Sequence, residues 1–132
     1  MGKRTTSRRL AMQALYQAEI ANSTVEESLK NLFESEKFIA ETIDFSEKLA
    51  KQAWTDRAES DKVITALSVD WPLERIGKVD RSILRLAISE LKSGETPQSV
   101  VVNEAVELAK KYSSEEAAKF INGILGSHLR SR

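Results

Sequence analysis

Apolar residues fall at helical spacing along most of this chain. Leu10, Ala11, Ala14, Leu15, Ala18 and Ala21 form one stripe, which predicts an amphipathic helix beginning at Thr6 or Ser7, either of which can cap it. Asn22 and Ser23 interrupt the stripe. Ser23 with Glu26 reads as a capping box, the hydroxyl and carboxylate satisfying free amides at the start of a second helix that buries Val25, Leu29, Leu32 and Phe33. A third, longer helix is predicted from about Thr42 into the sixties on Phe45, Leu49, Ala53, Ser60, Ile64 and Leu67. The polar stretch from Thr55 to Glu59 could hide a break in it. Trp71-Pro72 then marks a turn, because the residue before proline is pushed out of helical geometry.

The second half is patterned more sharply. Asp80 is predicted to cap a helix with a core face of Ile83, Leu84, Ala87, Ile88 and Leu91, and Gly94 stands where a left-handed C-terminal cap belongs. After Thr96-Pro97, the run Val100 to Val102 is β-branched and locally strand-like. Val102, Ala105, Val106 and Ala109 keep helical spacing, so a helix is predicted there too. Ser113 and Glu116 read as another capping box, opening a last helix that carries Ala117, Phe120, Ile121, Ile124 and Leu125. The fold class is therefore all-α. The turn at Trp71-Pro72 divides 1–132 into helical halves, 1–70 and 71–132. Neither is a comfortable domain alone, so they are expected to be subdomains sharing one core.

Composition changes this picture little. With 5 Gly and 2 Pro in 132 residues, the sequence has few enforced breaks, which favours helices over strands and turns. The absence of cysteine removes disulfides, thiolate chemistry and cysteine-based zinc sites, and suits a reducing cytoplasm. No apolar run approaches membrane-spanning length, and the basic N-terminus leads into an amphipathic pattern, so neither a membrane anchor nor a secretion signal is expected.

Enzyme chemistry lacks its parts. The single histidine, His128, lies near the C-terminus, and no nucleophile–base set, paired-histidine metal spacing or Gly-rich phosphate loop is present. Acid pairs such as Glu26-Glu27 and Glu115-Glu116 sit at helix starts, where the helix dipole accounts for them. Neither catalytic residues, metal ligands nor a cofactor are therefore expected.

Charge is informative by position rather than by sum. The 20 basic and 20 acidic residues cancel, yet Lys3, Arg4, Arg8 and Arg9 all precede the first acid, Glu19. Arg8 and Arg9 fall near the start of the first predicted helix, where cations oppose the dipole at about 0.3–1 kcal/mol each. An arginine cluster there makes an anion site, with backbone amides and guanidinium forks pointing the same way. Arg9, Gln13 and Tyr16 share a face and combine charge, amide and aromatic ring, the chemistry of single-stranded RNA recognition. Basic N-termini are also common as plain solvated tails, and charge alone leaves both readings open. Gly123 is a second oddity: a mid-helix glycine costs about 1 kcal/mol against alanine. Tight helix packing or a close ligand would explain it, with packing the simpler account.

Four segments carry a family resemblance: Arg8 to Gln17 (RRLAMQALYQ), Val79 to Ala87 (VDRSILRLA) with Glu90-Leu91, Val102 to Lys110 (VNEAVELAK), and Lys119 to Leu125 (KFINGIL). In order and spacing the chain resembles the NusB family of bacterial transcription antitermination factors. The resemblance implies about seven helices in two subdomains, no catalysis, and binding of boxA RNA together with NusE, a small-subunit ribosomal protein. It further implies action with other Nus factors on elongating RNA polymerase in ribosomal RNA operons, and a monomer or homodimer when free. Carried over by position, Lys3, Arg4, Arg8, Arg9, Gln13, Tyr16, Glu116, Lys119 and Phe120 are expected at the RNA surface, with Asp80 and Arg85 at the NusE-facing surface. The chain departs from the family pattern at Arg9, where an acid is usual, and at Thr5 and Thr6, where arginines are common. A helical protein-scaffolding module with incidental RNA contact is the alternative. NusB-like domains also occur fused to RNA methyltransferases, but no cofactor-binding domain is expected within these residues.

Overall fold

A computed structural model describes residues 2–132. It contains seven α-helices: α1 (Lys3–Ala21), α2 (Val25–Ser35), α3 (Ala40–Thr55), α4 (Arg57–Leu67), α5 (Lys78–Ser93), α6 (Gln98–Tyr112) and α7 (Glu115–Arg130). A single 3-10 turn, Leu73–Arg75, precedes α5, and no strand occurs among the described residues. The all-α expectation holds, including at Val100 to Val102, where Val101 is buried on α6.

The helix starts differ from expectation in informative ways. α1 begins at Lys3, not at Thr6 or Ser7, because Ser7 is spent elsewhere. Its hydroxyl is fully buried and lies 2.9 Å from the Thr42 carbonyl, tying α1 to α3. The box expected at Ser23/Glu26 is shifted by one residue: Thr24 accepts from the Glu27 amide at 3.0 Å, and Glu27 reaches back to the Thr24 amide. Ser23 faces the Ser28 hydroxyl instead. Ser114, not Ser113, caps α7 by accepting from the Ala117 amide, so Glu116 is not part of a box. Gly77, not Asp80, is the N-cap of α5, and Asp80 sits in its first turn. Gly94 ends that helix at φ 71°, the left-handed conformation that favours glycine.

The long third helix is two. The break falls inside the polar stretch, at Asp56, whose carboxylate is buried and accepts from Gln52 and from Ser89 of α5 at 2.8 Å. Arg57 then donates to the Trp54 carbonyl at 2.6 Å while stacking 4.0 Å above the Trp54 ring. A carbonyl released by the bend thus regains a donor.

α5 organises the rest. It packs against α1, α3, α4, α6 and α7, and every residue from Ser82 to Leu91 is buried. A helix buried all round cannot leave polar side chains unpaired without a penalty. Its four polar residues in that run are accordingly bonded: Ser82 to the Lys78 carbonyl, Arg85 to Asp61, Ser89 to Asp56, and Glu90 to Arg8. The expected core face was only part of it, since Leu86, on the side shared with these polar residues, is buried as well. No helix among the described residues is long and apolar enough to cross a membrane.

Candidate nucleic-acid interface

The N-terminal cations separate into buried and exposed groups. Arg8 is 3% exposed. Its Nε and Nη2 fork onto Glu90 at 2.9 and 2.6 Å, and its Nη1 reaches Glu104 of α6 at 3.4 Å. Phe45 of α3 lies 5.6 Å below the guanidinium. Burial alone would lower the Arg8 pKa, but the hydrogen bond and charge of Glu90, with the charge of Glu104, hold it above its ordinary value. The guanidinium of Arg8, expected at the RNA surface, is thus placed inside the fold against two carboxylates. The reason is the buried middle of α5, which brings a carboxylate into the interior and requires a forked cation beside it.

Its neighbours remain outside. Lys3 and Arg4 are exposed on the first turn of α1, Lys3 near Glu41 at 3.4 Å and Arg4 stacked 4.2 Å over Phe45. Arg9 lies on the other side, partly exposed, donating to Gln13 Oε1 at 3.3 Å, and Tyr16 is half-buried on the same helix. Arg9 and Gln13 are thus brought together, as their spacing predicts. Beside them, an open groove runs between the start of α1 and α6, lined by Thr5, Thr6 and Arg9 on one wall and by Asn103, Glu104, Glu107, Lys110, Lys111 and Tyr112 on the other.

Lys110, Lys111 and Tyr112 were not singled out from sequence. Cations in the last turn of a helix complement its dipole, so nothing about them looks unusual until the fold sets them facing Arg9. Glu116 and Lys119 are exposed on α7, and Phe120 is half-buried against the core. α7 packs on α4, α5 and α6, not on α1. α6 lies between α1 and α7 and separates Gln13 and Tyr16 from the α7 residues.

Of the partner-facing pair, Asp80 is half-buried beside Gly77, and its Oδ1 has no hydrogen-bond partner in the fold. Arg85 is 5% exposed and forks onto Asp61 at 2.8 and 2.7 Å, with Glu19 of α1 at 3.4 Å. Burial lowers its pKa, but Asp61 and Glu19 together raise it above the ordinary value. Arg85, expected at the NusE-facing surface, is likewise paired inside the helix assembly.

Gly123 also resolves. A side-chain carbon built there would meet nothing within 4 Å, so helix packing does not account for it. Gly123→Ala is expected to stabilise the fold by about 0.5–1 kcal/mol, read as a higher urea midpoint with unchanged slope. A loss of stability would mean that the helix does not continue undisturbed through this position.

The NusB family model matches residues 5–130. The chain belongs to the NusB family. Among curated relatives, the transcription antitermination protein NusB of Anaeromyxobacter dehalogenans is 42% identical over 124 residues, 93% of this chain and 87% of that protein. The NusB of Myxococcus xanthus is 41% identical over 95% of this chain and 93% of its own length. These relatives are named as antitermination proteins, not as enzymes. Among solved structures, a complex of the antitermination factors NusB and NusE with double-stranded RNA contains a chain that matches with a TM-score of 0.91 and 27% identity, over 98% of both chains. The solution structure of NusB from Aquifex aeolicus matches with a TM-score of 0.86 and 29% identity, over 98% of this chain and 89% of that one.

Proposed function

We propose that this chain is an antitermination factor that binds boxA RNA together with NusE, acting with other Nus factors on elongating RNA polymerase in ribosomal RNA operons. The observation that carries this reading is the likeness, over nearly its whole length, to the NusB chain of a NusB–NusE–RNA complex. The basic rim of α1 and α6 supplies the matching chemistry. Lys3, Arg4, Arg9, Lys110 and Lys111 are charges that can release counterions from a phosphate chain, while Gln13, Tyr16 and Tyr112 can serve bases. Glu116, Lys119 and Phe120 extend the surface along α7, beyond α6. Asp80 marks the NusE-facing side, and Arg85 supports it from within.

In this reading 1–132 works as one binding unit, supported by the packing of α5 against helices of both halves. The free chain is a monomer or homodimer, and its work is cytoplasmic.

Gel-shift titration on boxA and scrambled RNA, with and without NusE, tests the proposal. The expected result is preference for boxA, sharpened by NusE. Full-strength NusE binding with equal affinity for both RNAs would replace it with a protein-scaffolding role.

A further inference from the structure

Arg8, Glu104 and Thr5 form a unit that the functional reading does not use. Glu104 Oε1 accepts from the Thr5 hydroxyl at 2.7 Å and lies 3.4 Å from Arg8 Nη1. One carboxylate oxygen thereby ties the first turn of α1 to the middle of α6, the two walls of the groove. Behind it, Arg8 is anchored on Glu90 of the central helix. Of the three charged side chains, only Glu104 reaches solvent, at 21% exposure against 4% and 3% for Arg8 and Glu90. The three charges sum to minus one, so the cluster does not attract a phosphate chain. Pulling Arg8 outward would also strand Glu90, buried without its partner.

We propose that Arg8 is a positioning residue and not a phosphate ligand: through Glu104 it sets the spacing of the α1–α6 groove in which RNA is held. This rests on the RNA-binding reading. It makes an unusual demand of Glu104. By charge alone, removing a carboxylate from the wall of an RNA groove should tighten binding. If Glu104 instead spaces the groove, its removal loosens binding.

The test uses the full chain saturated with NusE and a boxA RNA oligonucleotide, titrated by fluorescence anisotropy over a series of potassium chloride concentrations well below the melting temperature. Glu104→Ala, which removes both the charge and the oxygen that accepts from Thr5 and Arg8, is expected to weaken binding about tenfold with an unchanged salt slope. Arg8→Gln combined with Glu90→Gln removes the buried pair without leaving a lone charge, which keeps the measurement available where a single change would unfold the chain. It too should leave the slope unchanged, whereas loss of a true phosphate ligand lowers the slope by about 0.7 for a single strand. Lys110→Ala, removing a rim charge, should show that drop.

Tighter binding by Glu104→Ala, or a lower slope in the Arg8/Glu90 double variant, would overturn the positioning role while leaving RNA binding intact. Failure of the unaltered chain to bind the RNA would overturn the functional reading, and this inference with it.

Discussion

Replacing Arg8 by alanine is expected to cost about 3–5 kcal/mol of folding stability, because it leaves a buried carboxylate without its cation. Glu90 is 4% exposed on a helix packed against five others, so water cannot take over the role of the guanidinium. The change also removes the contact with Glu104 that joins α1 to α6. Urea denaturation reads the effect directly, with Lys3→Ala as the comparison. Lys3 pairs with Glu41 at the surface, with side chains 62% and 75% exposed, where such pairs contribute about 0–1 kcal/mol. If the two variants lost similar, small amounts, Arg8 would have to be solvated, contrary to its position here.

Arg85→Ala is expected to have a somewhat smaller effect, nearer the C-terminal end of α1. Arg85 holds Asp61 of α4 and Glu19 of α1 against α5, with its own side chain 6% exposed. Asp61 and Glu19 are more exposed than Glu90, at 22% and 25%, so water relieves part of the loss. About 2–4 kcal/mol follows. Arg81, which also reaches Glu19 at 3.3 Å, retains one link between α1 and α5. The same urea measurement applies. A normally stable Arg85→Ala protein that had lost only its NusE binding would restore the partner-facing role inferred from the family resemblance.

These two arginines show where reading the sequence stopped short. Helical spacing located six segments and ran α3 and α4 together as one long helix, although the polar run around Asp56 warned of the bend between them. N-cap positions were off by one residue at α2 and α7, by three at α5 and by at least four at α1, since several Ser, Thr and Asp side chains compete for each helix start and tertiary partners choose among them. Ser7 is an example, its hydroxyl drawn to the Thr42 carbonyl of another helix.

The larger difference concerned charge. A basic cluster near the N-terminus reads as one surface feature, yet consecutive helical positions point in different directions. Arg8 turns toward α5 while Arg9 turns toward the groove. A hint was present in α5, where Leu86 shares a side with Arg85, Ser89 and Glu90 and leaves the helix no clean polar face. A carboxylate at Glu90 in such a helix demands a cation, but the sequence does not say which one. Nor could spacing along single helices show that α6 lies between α1 and α7. That arrangement emerges only from packing, and it brings Lys110, Lys111 and Tyr112 into the candidate interface.

The central claim is that the exposed rim of the N-terminal arm meets RNA while the buried arginines hold the helices that present it. The most direct measurement is the salt dependence of boxA RNA affinity for a Lys3→Ala/Arg4→Ala double variant, whose side chains lie at the surface. The account predicts an intact fold, weaker binding and a log–log slope reduced by about 1.4, roughly 0.7 for each lost phosphate contact. An unchanged slope and affinity in this variant would contradict it.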